Sequence, residues 1–219
     1  VPESVSLKDP KDFTIIGQGK SNVDIDEIVT GKPLFGLDYK ADGMLYASVL
    51  RPPAFGQKLM SYDDTNAKSV SGVTDVIKFG DKIAVLATST WSAMKGKKGL
   101  NAEWSQDSKA ESTAFHDETL LGILNGTKFD TRRKDGDVKK AFAEADKVIE
   151  QTYESPFLPH NCMEPMNFYA NVTDKKVHLV GPIQTPTKTA KRLANLIERD
   201  PEDVHLEITR MGGGFGRRL

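Results

Sequence analysis

Cysteine is almost absent from this chain of 219 residues, where Cys162 stands alone. One thiol excludes an intrachain disulfide, a zinc site built from thiolates, and an iron–sulfur cluster held by this chain. Long apolar runs are missing as well. None approaches the roughly 20 residues that a membrane-spanning helix needs, and no charged-then-apolar leader pattern opens the chain, an absence that says little about compartment. An excess of one charge is also lacking: 30 Lys and Arg stand against 31 Asp and Glu, for a formal net charge of −1. Such a mixed surface gives no reason to expect nucleic acid or an anionic membrane as partner. There is no internal repeat and no low-complexity segment.

The length allows one large or two modest domains, each able to bury a core. Residues 1–30 read as a polar lead-in arm, patterned only at Phe13-Thr14-Ile15-Ile16. Residues 31–106 alternate strands, near 44–50, 73–79, 82–87 and 101–104, with helical stretches, one near 89–100 carrying Trp91 and Met94. That mixture predicts an α+β module. Gln106 to Ser112 is polar and Ser-containing and reads as a linker. In residues 107–219 a helix carries Leu120, Leu121 and Leu124, and a charged loop runs from Lys128 to Asp137. A second helix shows Val138, Ala141, Phe142 and Ala145 on one stripe and leads into a strand from Val148 to Tyr153. A hairpin is expected next, with Phe168, Ala170 and Val172 before Asp174 and Val177 and Leu179 after it.

The densest chemistry lies at Met211-Gly212-Gly213-Gly214-Phe215-Gly216-Arg217-Arg218. Four glycines in five residues remove the Cβ atoms that would hold a ligand off the backbone and allow positive φ, so that successive N–H groups can converge on an anion. Phe215 in their midst predicts a ring packed on something flat or apolar in the same site. Glycine clusters are more often turns than sites, and the upstream segment adds the specificity. Thr185 reads as an N-cap with Pro186 at the first helical position, and Ala190, Leu193, Ala194 and Ile197 share one face. The helix stops before Asp200-Pro201, and Val204, Leu206 and Ile208 then alternate with His205, Glu207 and Thr209 as a half-buried strand. A helix over 186–199 climbs roughly 21 Å and a strand over 204–210 returns about 23 Å, which predicts that Gln184 comes back beside Phe215.

Gln184, helix, strand and Gly-Gly-Gly-Phe-Gly loop, with 31 residues from Gln184 to Phe215, resemble one wall of the molybdopterin site in the molybdenum hydroxylases of the xanthine oxidase and aldehyde oxidoreductase family. Pro159-His160-Asn161-Cys162-Met163-Glu164-Pro165-Met166-Asn167 is similar to that family's His-x-x-Met-Glu-Pro stretch. Asp42 to Pro53, Val70 to Val76, and Ile83 to Ala87 followed by Trp91 resemble its small hammerhead domain. Arg51-Pro52-Pro53-Ala54-Phe55-Gly56 is similar to the large (beta) subunits of the isoquinoline 1-oxidoreductase branch and its aldehyde-oxidising kin.

The resemblance implies an α+β fold, with an aldehyde oxidase/xanthine dehydrogenase a/b hammerhead domain over 31–106 followed by the N-terminal part of a molybdopterin-binding domain over 107–219. It implies that Gln184 hydrogen-bonds an oxygen ligand of the molybdenum. Gly212, Gly213, Gly214, Phe215, Gly216 and Arg217 would contact the pterin and its metal. The cofactor would be molybdopterin, as the cytosine dinucleotide, and its dithiolene sulfurs hold the metal, so no protein residue is assigned as a metal ligand. The family's proton-abstracting glutamate lies near its far C-terminus, and no catalytic residue is assigned here. The family's molybdenum domains continue for several hundred residues past the loop. The expectation is therefore a fragment of a subunit that hydroxylates an N-heterocycle or oxidises an aldehyde with oxygen from water, itself inactive and without bound cofactor. Its partners would be a small [2Fe–2S] subunit and the small-molecule substrate, in the periplasm by family resemblance or in the cytoplasm. The alternative is a noncatalytic module presenting the glycine loop to a phosphate-bearing ligand or a partner protein.

Other residues draw plainer readings. Cys162 reads as a small buried hydrophobe rather than a nucleophile. Glu164 reads as part of the framework, and Arg132-Arg133-Lys134 as a solvated loop. His116, His178 and His205 show no metal-ligand spacing in the sequence.

Overall fold

The computed structural model describes residues 4–106 and 112–219. The linker expected over Gln106–Ser112 therefore lies, apart from its two end residues, outside the described residues. In chain order the first elements are α1 (Ile25–Val29), β1 (Tyr46–Leu50), β2 (Leu59–Asp63), α2 (Thr65–Lys68), β3 (Val73–Phe79), β4 (Lys82–Ala87), α3 (Thr90–Lys98) and β5 (Asn101–Trp104). Then follow α4 (Thr113–Leu124), α5 (Val138–Ala143), β6 (Tyr169–Val172), β7 (Val177–Gly181), α6 (Pro186–Leu196) and β8 (Val204–Ile208). Helices and strands mix within the chain, as the α+β expectation requires.

Two compact units form, one from Ala41–Glu154 and one from the residues up to Lys40 joined with Ser155–Leu219. This division differs from the cut expected near residue 106. The residues up to Lys40 belong with the later ones because Arg210 reaches them in three ways: its N–H donates to Leu34 O at 3.0 Å, it forms a parallel bridge with Phe35, and its guanidinium pairs with the Asp24 carboxylate.

In the Ala41–Glu154 unit, β4 is the centre of an antiparallel β1-β4-β3 sheet, and β2 pairs antiparallel with β5. The run Ile83-Ala84-Val85 is buried because β4 has a strand on each side and α3 packs against it. Leu59, Ala67, Val76, Ile83 and Val85 form the core, with Leu50, Val73, Leu100, Ala102 and Trp104 around it. Helix α3 starts at Ser89, whose side chain accepts from Ser92 N. It buries Ala93 and Gly96, while Trp91 and Met94 on its other faces are exposed. A Cβ on Gly96 would come within 2.8 Å of Val85 Cγ1, so the residue's smallness sets how closely helix and sheet approach.

The two helices expected after residue 112 do form, as α4 and α5, but Ala145 of the expected stripe falls beyond the end of α5 and neither helix has a buried residue. The strand expected from Val148 to Tyr153 does not form. Ile149 and Tyr153 are exposed and no strand pairs with them among the described residues, so β-branched composition alone had no ladder to join.

In the other unit, β6 and β7 make the expected hairpin, and β7 pairs parallel with β8 through the α6 crossover. Val177, Leu179, Ala194 and Val204 form its core, joined by Ala190, Leu193, Ile197 and Leu206. Parallel strands cannot be joined by a tight turn, and α6 supplies the required connection. The helix ends at Leu196 rather than Arg199, and Glu198 turns the chain with a left-handed φ of 55°.

Candidate functional site

Because β7 and β8 run the same way, the residues that follow each of them emerge at one end of the sheet. Gln184 follows β7, and Met211 to Arg218 follow β8. In sheets with parallel strands this carboxyl end is where ligands commonly bind. A third segment, Pro159–Asn167, has no regular structure and is fastened to the loop by a reciprocal pair of bonds: Glu164 N to Gly212 O at 3.0 Å and Gly212 N to Glu164 Oε2 at 2.9 Å.

Glu164 and Arg218 are the framework of this region, both nearly sealed from solvent. The Glu164 carboxylate accepts from Leu37 N at 3.4 Å, Asn167 Nδ2 at 2.9 Å, Gly212 N at 2.9 Å and Arg218 Nη2 at 3.1 Å. Arg218 spends its other donors on the backbone, Nε to Gly213 O and Nη2 to Glu164 O, each at 2.8 Å. A buried ion pair of this kind holds only when other hydrogen bonds support it, as those from Leu37, Asn167 and Gly212 to Glu164 and those from Arg218 to the backbone do here. The framework reading of Glu164 fits this geometry. Arg218 points inward and braces the loop.

Gln184 and the glycine loop come together as the spacing predicts. Gln184 Oε1 accepts from Gly216 N at 3.1 Å and from Arg218 N at 3.2 Å, while Gln184 N donates to Arg218 O at 2.8 Å. Two N–H donors on one side-chain atom identify it as the oxygen, so the amide NH₂ is left as a donor.

The glycines are sterically required. A Cβ on Gly212 would lie 2.4 Å from Glu164 Cβ, and one on Gly214 would lie 2.7 Å from Gln184 Oε1. Gly213 and Gly216 take φ of 105° and 93°, and Phe215 holds a left-handed φ of 52°. The N–H groups of Gly213, Gly214 and Phe215 meet no hydrogen-bond acceptor among the described residues, whereas Gly216 N is taken by Gln184. Phe215 is 72% exposed, so its side chain is not packed into the core. Its edge lies over Gly213, where a Cβ would meet Phe215 Cε2 at 3.2 Å.

Beside the loop is a cleft of about 260 Å³ lined by Pro159, His160, Asn161, Cys162, Glu164 and Arg217, among others. Arg217 is exposed and places a cation there. The Cys162 thiol is half-buried against Gly213 and lies 3.6 Å from Gly214 O, with no hydrogen bond to His160 among the described residues. A larger hollow of about 420 Å³ under α5 is lined by Val138, Phe142 and Ile149, with Asp135, Asp137 and Lys147 also on its wall. In the 128–137 loop, Arg132 and Arg133 pair with Asp130 and Asp135 in solvent, as a solvated loop does.

The histidines that are scattered in sequence are partly gathered by the fold. His178 faces His205 in the parallel register, and Glu207 receives both imidazoles. The signal was the His205-x-Glu207 alternation on β8, but the partner strand that brings in His178 was not legible. The hydrogen bond from His178, and behind it the charge of His178 and the contacts from His205, holds the Glu207 carboxyl below its ordinary value against a smaller upward push from desolvation. A depressed carboxylate contributes stability above its unfolded value and loses it as pH falls through the folded one. We expect an NMR titration of the Glu207 carboxyl to give a midpoint below the usual glutamate value, rising toward it in His178→Gln. A wild-type midpoint at or above the usual value would contradict the contact.

Residues 122–219 match the family model of the molybdopterin cofactor-binding domain. The chain is 29% identical over 224 residues to the membrane-bound aldehyde dehydrogenase [pyrroloquinoline-quinone] of Gluconacetobacter polyoxogenes, covering 97% of this chain and 29% of that protein. It is 25% identical over 231 residues to isoquinoline 1-oxidoreductase subunit beta of Brevundimonas diminuta, covering 99% of this chain and 29% of that one. Among solved structures, quinoline 2-oxidoreductase from Pseudomonas putida 86 superposes with a TM-score of 0.63 at 16% identity, over 90% of this chain and 30% of that chain, which speaks to the fold. The chain thus spans under a third of the length of each of these proteins.

Proposed function

Since this chain belongs to the molybdenum hydroxylase family, we propose that Gln184, the loop Gly212–Arg217 and the adjoining cleft form one wall of a molybdopterin site in an oxidoreductase acting on an aldehyde or an N-heterocycle. The observation that carries the reading is the Gln184 amide, whose oxygen is occupied by Gly216 and Arg218 N–H and whose NH₂ is left as a donor beside three open backbone N–H groups.

That donor set fits the cofactor. Molybdopterin carries phosphate and oxygen acceptors, and a loop stripped of Cβ atoms at Gly212, Gly213 and Gly214 lets backbone amides approach them. Gln184 would donate its NH₂ to an oxygen-bearing group of the cofactor, and Gly213, Gly214 and Phe215 would donate N–H to an anionic one. Arg217 would add charge at the rim, and the exposed Phe215 ring would cover an apolar face. When bound, the cofactor supplies two-electron oxidation with oxygen drawn from water. The protein's part is to fix orientation: Glu164 and Arg218 hold the loop, so the donors are in place before any ligand arrives.

The same proposal extends to the rest of the enzyme. Its hammerhead-type module would fall within the early part of the chain. Electrons would leave to a [2Fe–2S] subunit, as the family resemblance implies, since the one cysteine of this chain does not itself hold a cluster. The cytosine dinucleotide form of the cofactor and a periplasmic location rest on family resemblance. No helix among the described residues is long and apolar enough to cross a membrane.

One relative's name carries pyrroloquinoline quinone, so cofactor identity is the decisive measurement. Metal analysis and cofactor extraction from the complete natural enzyme should return molybdenum and a pterin. Recovery of the quinone without molybdenum would overturn the proposal, and a protein with neither would favour a noncatalytic module. In the complete enzyme, Gln184→Ala should lower activity about ten- to a hundredfold, the usual cost of losing a group that orients a metal centre from outside its ligand set. Undiminished turnover would remove Gln184 from the site.

A further inference from the structure

We propose that His178, His205 and Glu207 form a binding site for a divalent transition-metal ion of the zinc type. The site lies on the face of the β6-β7-β8 sheet opposite α6, and the proposal is independent of the cofactor reading. The strand alternation makes the placement. Val177 and Leu179 on β7 and Val204 and Leu206 on β8 pack with Ala194 and Leu193 of α6, which turns the residues between them to the other face. His178 and His205 are directly paired in the parallel register, and Glu207 follows His205 by two residues on the same face.

The three side chains converge on one point. His178 Nε2 lies 2.7 Å from Glu207 Oε1, and His205 Nε2 lies 3.3 Å from the same oxygen. All three ligand atoms fall within 4.8 Å of one another. Donors about 2.0–2.1 Å from a tetrahedral zinc ion stand about 3.3 Å apart, so modest rotation of the half-buried His178 and the exposed His205 and Glu207 closes the set. The rings are already aligned, with the His178 and His205 centroids 5.6 Å apart and stacked, and the Tyr169 ring meeting His178 edge-on at 5.9 Å. Both imidazoles now turn Nε2 to a single carboxylate oxygen. On metal binding each would present that nitrogen's lone pair instead, with the ring proton carried on Nδ1, and a fourth position would stay open to water.

Two imidazoles and one carboxylate select the chemical class. Calcium and magnesium prefer all-oxygen shells, and copper(I) prefers sulfur, whereas this donor set suits zinc, cobalt(II), nickel or copper(II). The backbone does the positioning: neighbouring strands fix the separation of His178 and His205, and the pleat fixes Glu207, so little order is left to be gained on binding.

Cobalt(II) serves as the probe. Titrated into the chain, it should bind one ion per chain with visible absorption bands, be displaced by zinc, and broaden NMR signals of β7 and β8 selectively. His178→Gln, His205→Gln and Glu207→Gln should each weaken binding about tenfold or more, while His116→Gln leaves it unchanged. Circular dichroism should show the fold intact, since the three side chains sit on the sheet's outer face. Equal affinity in all three variants, or broadening centred away from β7 and β8 in the unmodified chain, would overturn the site.

Discussion

Arg218→Met should destabilise the unit formed by the residues up to Lys40 and Ser155–Leu219 by about 3–5 kcal/mol, the range for removing one partner of a buried ion pair. The size follows from what is left behind. Glu164 would keep a buried carboxylate facing Leu37 N, Asn167 Nδ2 and Gly212 N without its cation, and the carbonyls of Gly213 and Glu164 would each lose a donor. Both tryptophans lie in the other unit, at Trp91 and Trp104, so their fluorescence reports on that unit and acts as an internal control. Hydrogen exchange of the backbone amides of Gly212 and Arg218, which are bonded to Glu164 and Gln184, should speed up while the tryptophan transition stays in place. Unchanged exchange would show that the pair does not brace the loop. The double variant Glu164→Gln/Arg218→Met should recover part of the loss, because it no longer buries a lone charge.

The second large effect is steric. Gly212→Ala should lower the stability of the same unit by about 3 kcal/mol, at the upper end for overpacking. The added methyl would lie 2.4 Å from Glu164 Cβ and 3.3 Å from Glu164 N. Glu164 cannot give way cheaply, since its N–H and carboxylate are both tied to Gly212 itself. Relief must come from the loop, which moves the open N–H groups of Gly213 and Gly214 and should reduce cofactor loading in the complete enzyme. Gly126→Ala, at the end of α4 and exposed, is the milder comparison. Native-like melting and loading in Gly212→Ala would mean that the loop is not held as tightly as its contacts indicate.

The legible part of this protein is its local periodicity. Residues 73–79 and 82–87 announce β3 and β4 by alternation and by a buried apolar run, and Thr185-Pro186 announces α6. Gln184 and the glycines could be linked because a helix and a returning strand of nearly equal length separate them. Strand β2 escaped notice because Leu59-Met60-Ser61-Tyr62-Asp63 is short and its pairing slips between Leu59 and Ser61. Val148 to Tyr153 misled in the opposite sense, since strand-forming residues without a neighbouring strand stay irregular. Glu164 with Arg218, and His178 with Glu207, were out of reach for one reason. Each depends on which distant segments lie side by side, and pairing register is a property of the tertiary fold that single-strand patterning does not encode.

The interleaving of the two units sets an order of events during synthesis. Ala41–Glu154 is continuous and can fold as soon as it has left the ribosome. The residues up to Lys40 emerge before that unit yet cannot be completed until Arg210 arrives, 186 residues after Asp24, to pair with it and to meet Leu34 and Phe35. While the intervening residues are being made, the segment up to Lys40 is therefore still waiting for its partner, and it is there that a chaperone would have work to do.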